Sequence, residues 1–278
     1  MGEFTPCPDE AVNAAKAICG PITLSEITDR RGSAVWKATG TVATLAIKAG
    51  YGEGEEITAR EGAVLDQLPG YTVTVGRYAS GVWYVTPWLT GPSTWDLFKP
   101  IRHGDGDHAR ALAGSADLCR AVAELHAAGW VHGDLQPAHG IHTDHDAKLL
   151  DLSWAWSPMF PPSPLFQGGI THLVAPELAA AVESGERPVR TTIESDVYAL
   201  AGTLWTCITG RWPLDYDAAG IGPDVGPSAR RAAIAAGAIP LHSAEPWPTA
   251  QAPLRAVLRA RAQDRPRAAE LAVALEEL

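Results

Sequence analysis

Residues 131–153 read VHGDLQPAHGIHTDHDAKLLDLS, and two acids in this stretch decide the rest. Asp134 stands between the apolar Val131 and Leu135, and Asp151 stands between Leu150 and Leu152. An ionised carboxylate beside apolar runs is costly to bury without a charge partner or a chemical role. Upstream, Lys48 ends the run LAIK and Glu61 lies in REGAVLDQL. Transfer of a phosphoryl group needs little covalent help, but it needs a cation on the triphosphate, a carboxylate for metal and another beside the acceptor hydroxyl. These four residues supply that set.

The pattern around them changes character along the chain. From Ile22 to Leu89 the runs ITLSEIT, SAVWKATG, TVATLAIKAG, YTVTVGRYA and GVWYVTPWL are rich in β-formers and separated by turn residues, which predicts an antiparallel sheet. One helix interrupts it over Glu55 to Leu68, where Ile57, Glu61, Val64, Leu65 and Leu68 recur at helical spacing before Pro69-Gly70. Beyond Leu89 the chain is mainly helical: the alanine-rich Ala109 to Ala128, then stretches near 194–210 and 251–278. The segment PMFPPSPLFQGG, 158–169, is too rich in proline and glycine for a helix or central strand and is expected to be a loop. The reading is an α+β protein with an extension at 1–21, a small β-rich lobe with one helix at 22–89 and a larger, mainly α lobe at 90–278.

Composition narrows the partners. Of 278 residues, 46% are apolar and 19% charged, as in a globular protein, and the net charge of −10 would repel nucleic acid or an anionic membrane. The four cysteines share no CxxC spacing, so neither a zinc cage nor a disulfide framework is expected, and a reducing cytoplasm fits. No signal-like segment and no long apolar run calls for export or a membrane partner.

In this order, the pieces resemble the protein kinase fold over Ile22 to Leu278. AIK matches the lysine strand, REGAVLDQL the helix of its glutamate partner, HGDLQPAH the catalytic loop and DLS the metal-binding tripeptide. VAPEL, SDVYALAGTLWTCITGRWP and DRP follow in sequence. The resemblance implies a bilobal fold that binds ATP with Mg2+, or Mn2+, between its lobes. Lys48 would contact the α and β phosphates and pair with Glu61, Asp151 would bind the metal, and Asp134 would orient the acceptor or take its proton. Val35, Ala46 and Ile141 would sandwich the adenine, with Thr86 behind it and the backbone of Pro87 and Leu89 bonding the base edge. Glu177 would pair with Arg265, Asp196 would hold the catalytic loop by its amides, and His132 would be a core histidine.

Several positions depart from the family pattern. The phosphate-covering loop keeps one glycine, Gly32, with Ser33 where another belongs and Arg30 or Arg31 as substitute charge. In the catalytic loop Gly133 replaces an arginine, Gln136 a lysine and His139 an asparagine that holds a second metal. Loss of the arginine argues against control by activation-loop phosphorylation. Gln136 removes a cation from beside the transferring group. His139 can ligate a dication, with a leaning toward softer metals than magnesium. Ile170 stands where Ser/Thr kinases place a threonine near the catalytic aspartate. HGD loops occur in small-molecule phosphotransferases and in lanthipeptide-synthetase kinase domains, whereas the APE, SDVYALAG and DRP segments favour a peptide or protein acceptor. The expectation is an ATP-dependent phosphotransferase acting on Ser or Thr, in one form during maturation of a modified peptide. The alternatives are a pseudokinase that holds nucleotide or a partner peptide, and a small-molecule kinase.

Overall fold

SAVWKATG and TLAIKAGY alternate side chains with period two, and a strand sends alternate residues to opposite sheet faces. The computed structural model describes residues 4–243 and 245–278. In it Ala34, Trp36 and Ala38 of one strand and Leu45, Ile47 and Ala49 of the next are buried together on one face. The described residues form two compact units, one ending at Leu89 and one beginning at Thr90.

The first unit contains α1 (Asp9–Cys19), β1 (Ile22–Arg30), β2 (Ser33–Gly40), β3 (Thr44–Tyr51), α2 (Glu55–Gln67), β4 (Thr74–Tyr78) and β5 (Gly81–Pro87). Its five strands are antiparallel in the order β1-β2-β3-β5-β4. Helix α1 covers one face. Its Ala11, Ala15 and Cys19 recur every fourth residue, form one stripe and join the core with Trp36, Ile47, Trp83 and Val85. Helix α1 of the 1–21 extension thus supplies part of the first core; residues 1–3 lie outside the described residues. A stripe of two alanines and a cysteine buries little apolar area, which is why the sequence pattern did not single it out. Helix α2 lies on the opposite face, against β3 and β5.

The second unit contains α3 (Thr94–Leu97), α4 (Lys99–Arg102), α5 (His108–Ala127), the short hairpin β6 (Gly140–His142) and β7 (Ala147–Leu149), α6 (Pro176–Glu183), α7 (Ile193–Thr209), α8 (Pro227–Ala235), α9 (Pro248–Arg259) and α10 (Ala268–Glu276). Helix α7 is its axis: thirteen of its residues are buried, including Trp205, Leu200 and Leu204. It begins with a reciprocal cap in which the Ser195 amide donates to the Thr192 hydroxyl and the Thr192 amide to the Ser195 hydroxyl. The proline-rich stretch 158–169 carries no helix, and the whole chain is α+β. No helix among the described residues is long and apolar enough to cross a membrane.

Candidate functional site

The loop that carries Asp134 is built on α7. Asp196, 2% exposed, accepts hydrogen bonds from the backbone amides of His132 at 2.7 Å and Gly133 at 2.9 Å, and His126 Nε2 lies 3.0 Å from the same carboxylate. A buried carboxylate is tolerable when several donors satisfy it, and these donors fix the course of the loop. Gly133 has φ +82°, and a Cβ there would meet the Trp154 carbonyl at 3.1 Å and the Thr191 hydroxyl at 3.2 Å. The close turn requires glycine.

His132 has both ring nitrogens committed. The Asp134 amide donates to its Nδ1 at 3.2 Å, so Nδ1 bears no proton; Nε2 lies 3.1 Å from the Leu150 carbonyl and donates to it. The ring is neutral, and burial pushes its pKa down to about 4. It links the loop to the strand leading into Asp151 and takes no part in acid–base chemistry.

Asp134 is held at one carboxylate oxygen and closely bordered at the other. Gln136 donates from Nε2 to Oδ2 at 2.7 Å, and the Gly169 backbone stands so close to Oδ1 that a Cβ at residue 169 would lie 2.7 Å from it. Burial, aided by the charge of Asp151, raises the Asp134 pKa from the usual 3.8 to about 6. A carboxylate with that pKa is ionised at neutral pH and is a better proton acceptor than a solvated one. A small cavity beside it is walled by Gly133, Gly168, Ile170, Thr191 and Ser195.

His139 and Asp151 face each other next to this loop. His139 Nδ1 lies 2.8 Å from the Asp134 carbonyl oxygen, which can only accept, so Nδ1 carries the proton. In the neutral ring Nε2 then presents a lone pair, 3.6 Å from Asp151 Oδ2. Asp151 occupies the left-handed region at φ 55°, ψ 58°, a conformation that aspartate tolerates better than most residues, and Ser153 donates its hydroxyl to Asp151 Oδ1 at 3.0 Å. A nitrogen and a carboxylate oxygen turned toward one another are a donor pair that fits a divalent cation. Among the described residues no cluster of three or more His, Cys, Asp or Glu side chains could hold a metal, so the two atoms need further ligands from elsewhere. Two histidines elsewhere have partners of their own: His142 Nε2 lies 2.9 Å from the Thr94 hydroxyl, and His108 stacks on Trp247 at 4.2 Å.

In the first unit Lys48 and Glu61 form an ion pair, Nζ to Oε2 2.5 Å, with the glutamate side chain 4% exposed. Strand β3 and helix α2 bring them together. Cross-strand partners share a face, and Val35 is opposite Lys48 while Ala46 is opposite Thr86. Val35, Ala46, Lys48 and Thr86 thus lie together on the sheet face that α1 leaves uncovered. Thr86 donates its hydroxyl to the Thr72 carbonyl at 2.9 Å, Pro87 ends β5, and Leu89 is half-buried. In the second unit Ile141 lies in β6, opposite Lys148 and bridged to Ser93.

The β1–β2 connection is a two-residue turn. Arg30 pairs with Ser33, and Arg31 and Gly32 both have positive φ, 53° and 73°, the signature of a hairpin turn whose twist matches its strands. The Gly32 carbonyl accepts from the Tyr51 amide at 2.8 Å, and a Cβ on Gly32 would meet Gly54 N and Tyr51 O at 2.6 Å. The turn is pinned to its own unit.

Supporting contacts complete the second unit. Arg265, its side chain 1% exposed, holds Glu177 with two hydrogen bonds of 2.5 and 2.9 Å and donates to the Glu194 carbonyl at 3.0 Å. Trp154 packs on Phe166 at 5.5 Å, and Trp156 donates its indole N–H to Thr191. Only Met159 and Leu165 of that segment's large apolar residues stand exposed, so the aromatic residues pack inward. Ser153 belongs to the DLS tripeptide of the sequence reading, whereas Gly169 had no place beside Asp134 in it; the consecutive Gly168-Gly169 before Ile170 was the available signal, since both adopt positive φ.

Comparison with models of known protein families returns no match, and neither does comparison with curated proteins.

Proposed function

We propose that the chain is an ATP-dependent phosphotransferase of protein kinase-like design that acts on Ser or Thr hydroxyls of a peptide or protein. The observation that carries this reading is the convergence of Asp134, Gln136, His139 and Asp151 on one loop system fastened to Asp196. The Lys48–Glu61 pair, on the same sheet face as Val35, Ala46 and Thr86, is the second support.

In this reading Asp151 holds the metal of the triphosphate, and Lys48 is a phosphate-binding cation whose ammonium Glu61 fixes. The acceptor hydroxyl approaches Asp134, its oxygen forms the bond to the γ phosphorus while the bond to the β–γ bridging oxygen breaks, and its proton passes to the carboxylate. Gln136 orients Oδ2 for that proton. His139 and Asp151 would hold a divalent ion, which when bound supplies charge stabilisation on the phosphates. Lacking a cation at Gln136, the site relies on that ion for electrostatic stabilisation.

One observation favours a second reading, a pseudokinase. Oδ2 of Asp134 accepts from Gln136 and the Gly169 backbone borders Oδ1, so the 168–170 segment crowds the approach of an acceptor. Incubation with γ-labelled ATP, Mg2+ or Mn2+ and peptide pools separates the two. The enzyme reading expects label transfer that Asp134→Asn and Asp151→Asn each abolish. Nucleotide-dependent stabilisation without transfer would establish the pseudokinase.

A further inference from the structure

We propose that His139 makes the metal position selective for Mn2+ over Mg2+. The inference rests on the nucleotide-binding reading above and deepens it by naming the cation. Its basis is the tautomer. The Asp134 carbonyl, 2.8 Å from Nδ1, takes the ring's proton on that side and leaves Nε2 as the donor atom facing Asp151 Oδ2 at 3.6 Å. The Nδ1 end of the ring is thereby fixed to a backbone carbonyl, which is how a metal-ligating histidine is normally oriented. The His132 ring lies roughly parallel to it, at a centroid distance of 6.2 Å.

An imidazole nitrogen changes the order of preference among cations. Magnesium demands near-regular oxygen coordination and sheds water reluctantly, whereas first-row transition dications bind nitrogen more strongly. Manganese is the member of that series that also suits carboxylate and phosphate oxygens, so a ligand set of one imidazole, one carboxylate and triphosphate oxygens matches it. With no group of three His, Cys, Asp or Glu side chains that could hold a metal among the described residues, nucleotide oxygens are the donors that complete the shell in this reading. Manganese binding should therefore strengthen when nucleotide is present.

The test reads the bond itself. The full chain, its histidines labelled with 15N, is titrated with Mn2+ in the presence and absence of a non-hydrolysable ATP analogue and examined by pulsed electron paramagnetic resonance. Expected is a 15N coupling to Mn2+ that vanishes in His139→Asn, while competition by Mg2+ becomes more effective in that variant by about tenfold or more. His139→Gln should behave like His139→Asn, which guards against one variant folding poorly; circular dichroism checks both. Absence of the 15N coupling, or an unchanged Mg2+ to Mn2+ preference in both variants, overturns the proposal. Analogue binding is followed separately by its thermal shift. Bound nucleotide with no 15N coupling sinks only the manganese claim; absence of nucleotide binding sinks the reading on which it rests, and the claim with it.

Discussion

The two units hold their charged residues by different means. In the first, Lys48 and Glu61 sit on a regular strand and a regular helix, and the burial pattern of those elements brings them within 2.5 Å. In the second, Asp134, His139 and Asp151 sit on irregular backbone that is fixed by hydrogen bonds to Asp196, by the neutral His132 and by residues with positive φ. A site on regular elements depends on packing, whereas a site on loops depends on whichever buried group satisfies the loop amides. The second site should accordingly be easier to destroy from a distance.

The sharpest way to break the comparison is Asp196→Ala. It leaves two buried amides and His126 without their acceptor, and should cost about 3–5 kcal/mol, read as a fall in Tm of roughly 10 °C. A change of less than about 1 kcal/mol would mean that the loop is held otherwise. Lys48→Met should cost about 3 kcal/mol by leaving Glu61 buried without its cation, and the double variant Lys48→Met/Glu61→Gln should recover part of that loss. Purely additive losses in denaturant melts would argue against a coupled pair.

Asp134 should show the opposite sign. Its folded pKa is raised, so the fold disfavours the ionised form. Stability is highest below the ordinary 3.8, falls as pH rises toward about 6, and stays lower above. Asp134→Asn retains an acceptor for Gln136 and removes the charge, so in the absence of metal it should stabilise the protein by roughly 2–3 kcal/mol at pH 8 and by little at pH 4. Denaturant melts at the two pH values check this, and a stabilisation independent of pH would show that burial of the charge is not its cause. The smallest effect, about 1–2 kcal/mol, belongs to Gly169→Ala, which places a Cβ 2.7 Å from Asp134 Oδ1 on a residue with φ +63°. It should also displace the Asp134 carboxylate.

What the sequence made legible follows the same division. SAVWKATG and GVWYVTP announced strands because both are rich in β-formers and bounded by turn residues, and the Lys48–Glu61 pairing followed once REGAVLDQL was read as a helix. The sheet was equally plain. Helix α1 escaped because its buried stripe is Ala11, Ala15 and Cys19, too small to stand out. Gly169 escaped for another reason: its closeness to Asp134 arises from a long irregular segment returning to the loop, and sequence spacing carries no information on that. Likewise the tautomer of His139 depends on a carbonyl five residues earlier, Asp134 O, which only the folded loop brings within 2.8 Å.

Whether the loops that carry Asp134, His139 and Asp151 hold a metal-bound nucleotide is tested most directly by calorimetric titration of the chain with ATP in the presence of Mn2+. A single site is expected, with an affinity that falls by about tenfold or more in Asp151→Asn, the variant being checked for retained fold. Binding that this substitution leaves unchanged, or no binding by the unaltered chain, would contradict it.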